Sequence, residues 1–431
     1  MKTFYALTAA ALSYSSLQAS PNVLLIIADD LGWNGVGFHS RSMSTPNLDR
    51  LAKDGTELQR YYTYPVCSPS RAALLTGQMP RRFGLAHIIA PGQEGIPKGT
   101  ITLPATFKAA GYRTSLIGKW HLGSVHPPQE HGFDHFYGFM GAEIDYFKHT
   151  GQRGERIDWQ RDGRTLEEEG YSTYLLADEA IRQIKQRDTR KPFLIQVAFN
   201  APHFPLAAPD ELVSKHRGNL YSAVIAALDT SIGRILTALD EQKMRENTLV
   251  VFCSDNGAPR RSSSNEPLSY GKESVYEGGI RTPCVMRWPG KVPAGSLSQQ
   301  PVSAQDLLPT LAAAAGVNLP ANSKLDGTSQ WTALQTSKAM PREPFLIASA
   351  DTALIDGEWK LIEWTSGNLS LFNLRSDIGE TKDLYAKEAE RARQLTAKLY
   401  ELKQALPPLR ASSGPKGKAG PKGKGRPPPR Q

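Results

Sequence analysis

Four segments of the chain run apolar without interruption and then turn abruptly polar: NVLLIIADD from Asn22, RTSLIGKWH from Arg113, PFLIQVAFN from Pro192 and TLVVFCSDNG from Thr248. A run that does not alternate is apolar on both faces, which predicts strands buried inside a parallel sheet. Between these runs the period lengthens to that of a helix, over Thr173 to Arg187 and over Tyr221 to Leu239. In the second helix Ile225, Leu228, Ile232, Ile235, Leu236 and Leu239 form one stripe. Strands alternating with helices predict an α/β domain: a large, mixed but mostly parallel sheet with helices on both faces. After about Pro341 the pattern becomes four short strand candidates, FLIASA, ALIDG, WKLIEW and LSLFNL, and then a charged amphipathic helix from about Tyr385 to Leu406. That pattern predicts a small antiparallel α+β unit.

The two ends differ from this body. MKTFYALTAAALSYSSLQAS carries a lysine at position 2, a short apolar stretch and then small residues, the layout of a secretory signal cleaved after Ala19. The expected organisation is therefore a signal peptide over 1–19, a catalytic domain over 20–340, an α+β subdomain over 341–410 and a disordered tail over 411–431, with the protein secreted or periplasmic. The formal net charge is +9, but the last 21 residues hold six lysines and arginines and no acid, leaving only +3 on the rest. Such a tail has a weak preference for polyanions and gives no reason to expect a nucleic-acid-binding fold. The longest apolar run beyond the N-terminus, Val23 to Ala28, is too short to span a bilayer. Three cysteines do not build a disulfide framework in an exported chain, so Cys253 and Cys284 read as small core residues and Cys67 calls for another explanation.

In an open α/β sheet ligands bind beyond the carboxyl ends of the strands, and there the polar residues gather. Asp29 and Asp30 close the first strand, Lys119 and His121 another, His203 follows the third, and Asp255 with Asn256 the fourth. Either acidic pair alone reads as a cap or a turn; four clusters in one chain point to a site. Carboxylates plus an amide suit a hard divalent ion, calcium before magnesium. Cys67 opens CSPSRAALLTG, in which Pro69 suits a first helical position and Gly77 a C-terminal cap. Arg71 lies four residues on, along the same helical face, so an anion near residue 67 meets a helix N-terminus and a guanidinium together. If the strand continues through GKWH, Lys119 and His121 share a side, with Trp120 opposite. Lys272 lies in YGKESVYEGGIRTP, whose glycines permit tight turning.

These motifs, with HGFDHFYGF, APHFP and the late LFNLRSDIGETKDL, closely resemble the formylglycine-dependent (type I) sulfatases of the alkaline phosphatase superfamily, over about Asn22 to Tyr385. DLGWNGVGFH, GLAHII and GFDHFYGF further resemble the arylsulfatase B branch, which includes N-acetylgalactosamine-4-sulfatases. The resemblance implies an alkaline phosphatase-like fold and hydrolysis of sulfate esters on a glycosaminoglycan or other polysaccharide fragment. It implies that a formylglycine-generating or sulfatase-maturating enzyme converts Cys67 to formylglycine (3-oxoalanine), whose hydrate is the nucleophile. One Ca2+ would be held by Asp29, Asp30, Asp255, Asn256 and the modified residue 67. Arg71 would orient the hydrate, Lys119 and Lys272 would bind sulfate oxygens, His203 would be the acid for the leaving alcohol, and His121 the base that regenerates the aldehyde. Two other readings compete. A phosphonate or phosphate diester hydrolase could use the same nucleophile, and an inactive core could leave the basic tail to bind polyanions. No motif to carry over occurs between about Ala142 and Glu169 or from Pro259 to Ser269, loops expected to line the rim and select the sugar.

Overall fold

The computed structural model describes residues 20–407, apart from 91, 152, 153, 155 and 262; the expected signal peptide and basic tail lie outside the described residues. All four predicted strands form, as Asn22–Ala28, Arg113–Lys119, Phe193–Ala198 and Thr248–Ser254. With His135–Phe139 they make the parallel centre of a ten-stranded sheet, in which Asn22–Ala28 lies between Thr248–Ser254 and Phe193–Ala198. One flank is extended by Cys284–Arg287, Thr56–Leu58 and Ser296–Ser298, the other by the short pair Gln160–Arg161 and Arg164–Thr165, with antiparallel neighbours on both flanks.

The unbroken apolar runs have the predicted cause. Val23, Leu25 and Ile27 pack into one core, while Leu24, Ile26 and Ala28 pack into a second core on the opposite face. The helices Ser172–Lys185 and Leu220–Glu241 cover that second face. Leu220–Glu241 is long and apolar enough to cross a bilayer by length and composition, but Ile225, Leu228, Ile232, Ile235, Leu236 and Leu239 are all buried against the sheet, as befits a core helix.

The four C-terminal strand candidates form one antiparallel meander, Phe345–Ala348, Thr352–Asp356, Trp359–Glu363 and Leu369–Asn373. Its two faces are divided by the period of two. Ile347, Ala353, Ile355, Ile362 and Phe372 join the main core, whereas Leu346, Leu354, Leu361 and Leu371 pack on Ala392, Leu395 and Leu399 of the helix Ala389–Gln404. That helix begins later than Tyr385, because the Asp383 carboxylate accepts the N–H groups of Leu371 and Tyr385 and holds the chain in a turn.

Candidate active site

The helix Cys67–Thr76 is buried along its whole length, and Gly77 closes it at φ 67° with its N–H on the Ala73 carbonyl. Cys67 is the first helical residue and Pro69 the third, not the first as expected; its missing N–H is still one that no helical carbonyl needs. The Ser70 hydroxyl accepts the N–H of Tyr64, which ties the helix to the segment before it.

The strand ends converge on Cys67. Its thiol lies 3.4 Å from Asp29 Oδ1 and 3.8 Å from Asp30 Oδ1. Lys119 Nζ donates to Asp29 at 2.6 Å, and Lys272 Nζ stands 2.7 Å from both Asp30 oxygens. Arg71 grips Asp255 through Nε at 2.9 Å and Nη2 at 2.8 Å, with Asp29 Oδ1 at 3.7 Å and the Lys119 carbonyl at 3.3 Å from Nη1. Asp255 in turn accepts the Asp30 N–H at 3.1 Å, and Asn256 donates to Asp30 at 2.7 Å. His203 Nε2 lies 3.2 Å from Lys272 Nζ and 3.5 Å from Asp30. Three carboxylates therefore face Arg71, Lys119 and Lys272, and all ten expected residues occupy one buried site.

His121 reaches it by another route than strand alternation. The strand ends at Lys119, and His121 takes up a left-handed backbone at φ 51°, with Nε2 3.3 Å from the Ile89 carbonyl. Asp30 is also left-handed, at φ 67°. Such conformations cost about 1–3 kcal/mol for non-glycine residues and collect at functional sites. The glycines of EGGIR serve close packing: a Cβ on Gly278 would stand 2.4 Å from the Ser269 carbonyl oxygen, and one on Gly279 2.0 Å from that of Ser274.

Electrostatics sorts the groups. Burial alone would raise Asp29, but Lys119, His203 and Arg71 outweigh it and hold its carboxyl below the usual range. Burial pushes the Cys67 thiol well up, and Lys119 and Lys272 only partly oppose it, so the unmodified side chain is a protonated thiol and a poor nucleophile. Burial, with Lys119 and Arg71 nearby, drives His121 well below the ordinary imidazole value. It stands neutral with Nδ1 buried and unpartnered, and the carbonyl at Nε2 assigns the proton there.

The donor set fits a hard dication. Oxygens of Asp29 and Asp30 lie with the Cys67 sulfur and a His203 nitrogen within 4.8 Å of one another, and the Asn256 Oδ1 is buried without a partner. Carboxylate oxygens beside an orphaned amide oxygen are what calcium or magnesium would take up.

The sulfatase profile matches residues 21–317, and a profile for the C-terminal region of N-sulphoglucosamine sulphohydrolase matches 266–405. This chain belongs to the sulfatase family. The sulfatase is similar to the human N-acetylgalactosamine-6-sulfatase, 35% identical over 390 residues that span 83% of this chain and 74% of the relative. It is also similar to mouse arylsulfatase J, 32% identical over 79% of this chain and 60% of the relative. Among solved structures, Ps i-CgsB in complex with k-i-k-neocarrahexaose superposes with a TM-score of 0.85 at 32% identity, covering 91% of this chain and 94% of that one. The phosphonate monoester hydrolase of Agrobacterium radiobacter, at 21% identity and a TM-score of 0.66, shares the fold. These relatives establish the family and do not bear on the narrower arylsulfatase B placement.

Sequence reasoning missed a second buried charge cluster, at the segment that follows Lys272. Lys360, on Trp359–Glu363, is fully buried with Nζ 2.9 Å from Glu277 and 2.8 Å from Glu380. Glu380 accepts the Glu277 N–H at 2.6 Å, and Tyr62 and Arg281 also contact Glu277. A lysine inside WKLIE was the available signal, since at period two Lys360 falls on the same buried face as Ile362.

Proposed function

We propose that this sulfatase hydrolyses sulfate esters on a carbohydrate with formylglycine at position 67 and a bound calcium ion. The observation that carries the reading is the convergence on residue 67 of Asp29, Asp30, Asp255 and Asn256 together with Arg71, Lys119 and Lys272. The hexaose bound by one structural neighbour and the N-acetylgalactosamine-6-sulfatase names of the sequence relatives support a carbohydrate substrate. Asp29, Asp30, Asp255 and Asn256 would hold the ion, which supplies positive charge to the sulfate oxygens. Formylglycine would offer, as its hydrate, an oxygen nucleophile that the protonated thiol cannot.

The remaining tasks fall to the chain itself. Arg71, locked on Asp255, keeps a fixed positive charge beside residue 67, and Lys119 and Lys272 place two more where negative charge grows as the ester bond lengthens. His203 has its Nδ1 on the Phe204 carbonyl at 2.5 Å. That bond places the Nδ1 proton on the carbonyl and turns Nε2 to the site, so the ring would serve the departing alcohol as an acid in its doubly protonated form, giving up the Nε2 proton. His121, neutral with Nδ1 unpartnered, suits accepting the hydrate proton when the aldehyde is regenerated. Export through a signal over 1–19 and assistance by a maturating enzyme complete the reading.

Mass spectrometry of the peptide spanning Cys67 from active protein should find the aldehyde, and Cys67→Ala should abolish sulfate release. Active protein that carries only the free thiol sinks the formylglycine claim. Turnover of an aryl sulfate should exceed that of an aryl phosphodiester, and a large excess for the diester would favour the other hydrolase class.

A further inference from the structure

The loop from Ala258 to Lys272 is tied at its base. The Asn265 side chain accepts the Ala258 N–H at 3.0 Å and donates to the carbonyls of Ala258 at 2.9 Å and Tyr270 at 3.1 Å. Beyond that base, Arg260 and Arg261 are exposed and have no carboxylate partner among the described residues. Each guanidinium lies instead over an aromatic ring, Arg260 at 5.2 Å from the centre of Tyr270 and Arg261 at 4.8 Å from that of Phe204. Both rings are open to solvent, Phe204 at 44% and Tyr270 at 37%. Phe204 directly follows His203, and Tyr270 stands two residues before Lys272, so the two arginines flank the acid and one of the anion-binding lysines.

Three features set this arrangement apart from an ordinary charged surface. The Tyr270 ring is fixed, stacked on Tyr276 at 4.4 Å, which in turn meets Trp364. A cation over an exposed ring is attracted to its negative face, which biases where the guanidinium stands and leaves its N–H groups to meet a ligand. The charges inside the site are already matched, with Asp29, Asp30 and Asp255 against Arg71, Lys119 and Lys272. The two arginines therefore add positive charge that the reacting group does not need.

We infer that Arg260, Arg261, Phe204 and Tyr270 form a subsite on the leaving-group side that holds the sugar next to the one being desulfated, and that this neighbour carries a second anionic group. The inference rests on the sulfatase reading and on the role given to His203 there. Guanidinium forks bind sulfate and carboxylate in paired hydrogen bonds, and the rings beneath Arg260 and Arg261 set where those forks stand. Either a second sulfate ester or a uronate carboxylate would satisfy the arginines.

The test compares kcat/KM on three disaccharides that share one sulfated unit, their neighbour being neutral, sulfated or a uronate. The matured protein should prefer the charged neighbours, and Arg260→Ala/Arg261→Ala should lower the charged-to-neutral ratio about tenfold, mainly through KM. The ratio for the sulfated against the uronate disaccharide then identifies the anion. An unchanged charged-to-neutral ratio in the variant overturns the inference. Calorimetric binding of the same disaccharides to the unconverted thiol protein gives an answer without turnover. Loss of affinity for charged disaccharides in the variant upholds the subsite even if no sulfate is released, a failure that would fall on the sulfatase reading alone; affinity equal to that of the parent protein sinks the subsite.

Discussion

Asp29, Asp30 and Asp255 are each nearly or fully buried, and at such positions charge is tolerated only when matched. Arg71, Lys119 and Lys272 supply the match, and a dication would add to it. Protein stripped with a chelator should therefore gain thermal stability when calcium is restored, by about 2.7 kcal/mol at a hundredfold excess over the dissociation constant. Asp255→Asn should lose most of that gain, as read from unfolding midpoints with and without the ion. A midpoint indifferent to calcium in the parent protein would remove the ion from the site. At this scale the sequence was most informative, because polar residues ending apolar strands have few other reasons to cluster. What could not be read was conformation. Nothing in GKWHLG announces that His121 leaves the strand with a left-handed backbone, since only histidine's neighbours in space hold it there.

The elements are fixed by packing, which is very close where the fourth strand's exit meets the EGGIR segment. A Cβ added to Gly257 would stand 1.8 Å from the Gly278 carbonyl oxygen, with the Gly279 Cα at 3.1 Å. Backbone cannot yield as a side chain can, so Gly257→Ala should displace Asn256 and the segment leading to Lys272. Its expected result is soluble protein with activity reduced at least a hundredfold, or failure to fold; near-normal kcat would show that the contact is adaptable. The strands were legible because burial on both faces leaves a long apolar signature. The helix Ala389–Gln404 was legible in kind but not in its first turn, where the Asp383 side chain competes with helical hydrogen bonding.

Across the whole molecule, the four-stranded meander is joined to the main body by apolar contacts and by one set of buried charges. Lys360 reaches from the meander to Glu380 and to Glu277, which lies five residues beyond Lys272. Removing the lysine strands two carboxylates, so Lys360→Met should cost about 3–5 kcal/mol, measured by denaturant unfolding. Burial, with Lys360 opposing and Glu277 reinforcing it, lifts Glu380 to about 7 from 4.5. A raised carboxyl favours the folded state at low pH, and that contribution fades as pH climbs from about 4.5 through 7. Glu277 is shifted down, chiefly by Lys360 and Arg281 against burial, so its contribution is lost only on acidification below that window. The unfolding midpoint should therefore fall between pH 5 and 8, and Glu380→Gln should flatten the fall; an equal slope in both proteins would assign it elsewhere. The lysine within WKLIE signalled a buried charge, but no pattern revealed its partners, because Glu277 lies 83 residues from Lys360 and 103 from Glu380 along the chain and the three meet only after both sheets are built.

Cys67 is 1% exposed, on a helix with no residue open to solvent. A second enzyme could not grasp that side chain once the body has closed around it. If residue 67 becomes an aldehyde, the chemistry must happen while the segment is still extended, so each molecule has one early chance to become active. Cells that fold this chain faster than they convert it would accumulate a sound but inert product that no later treatment repairs without unfolding.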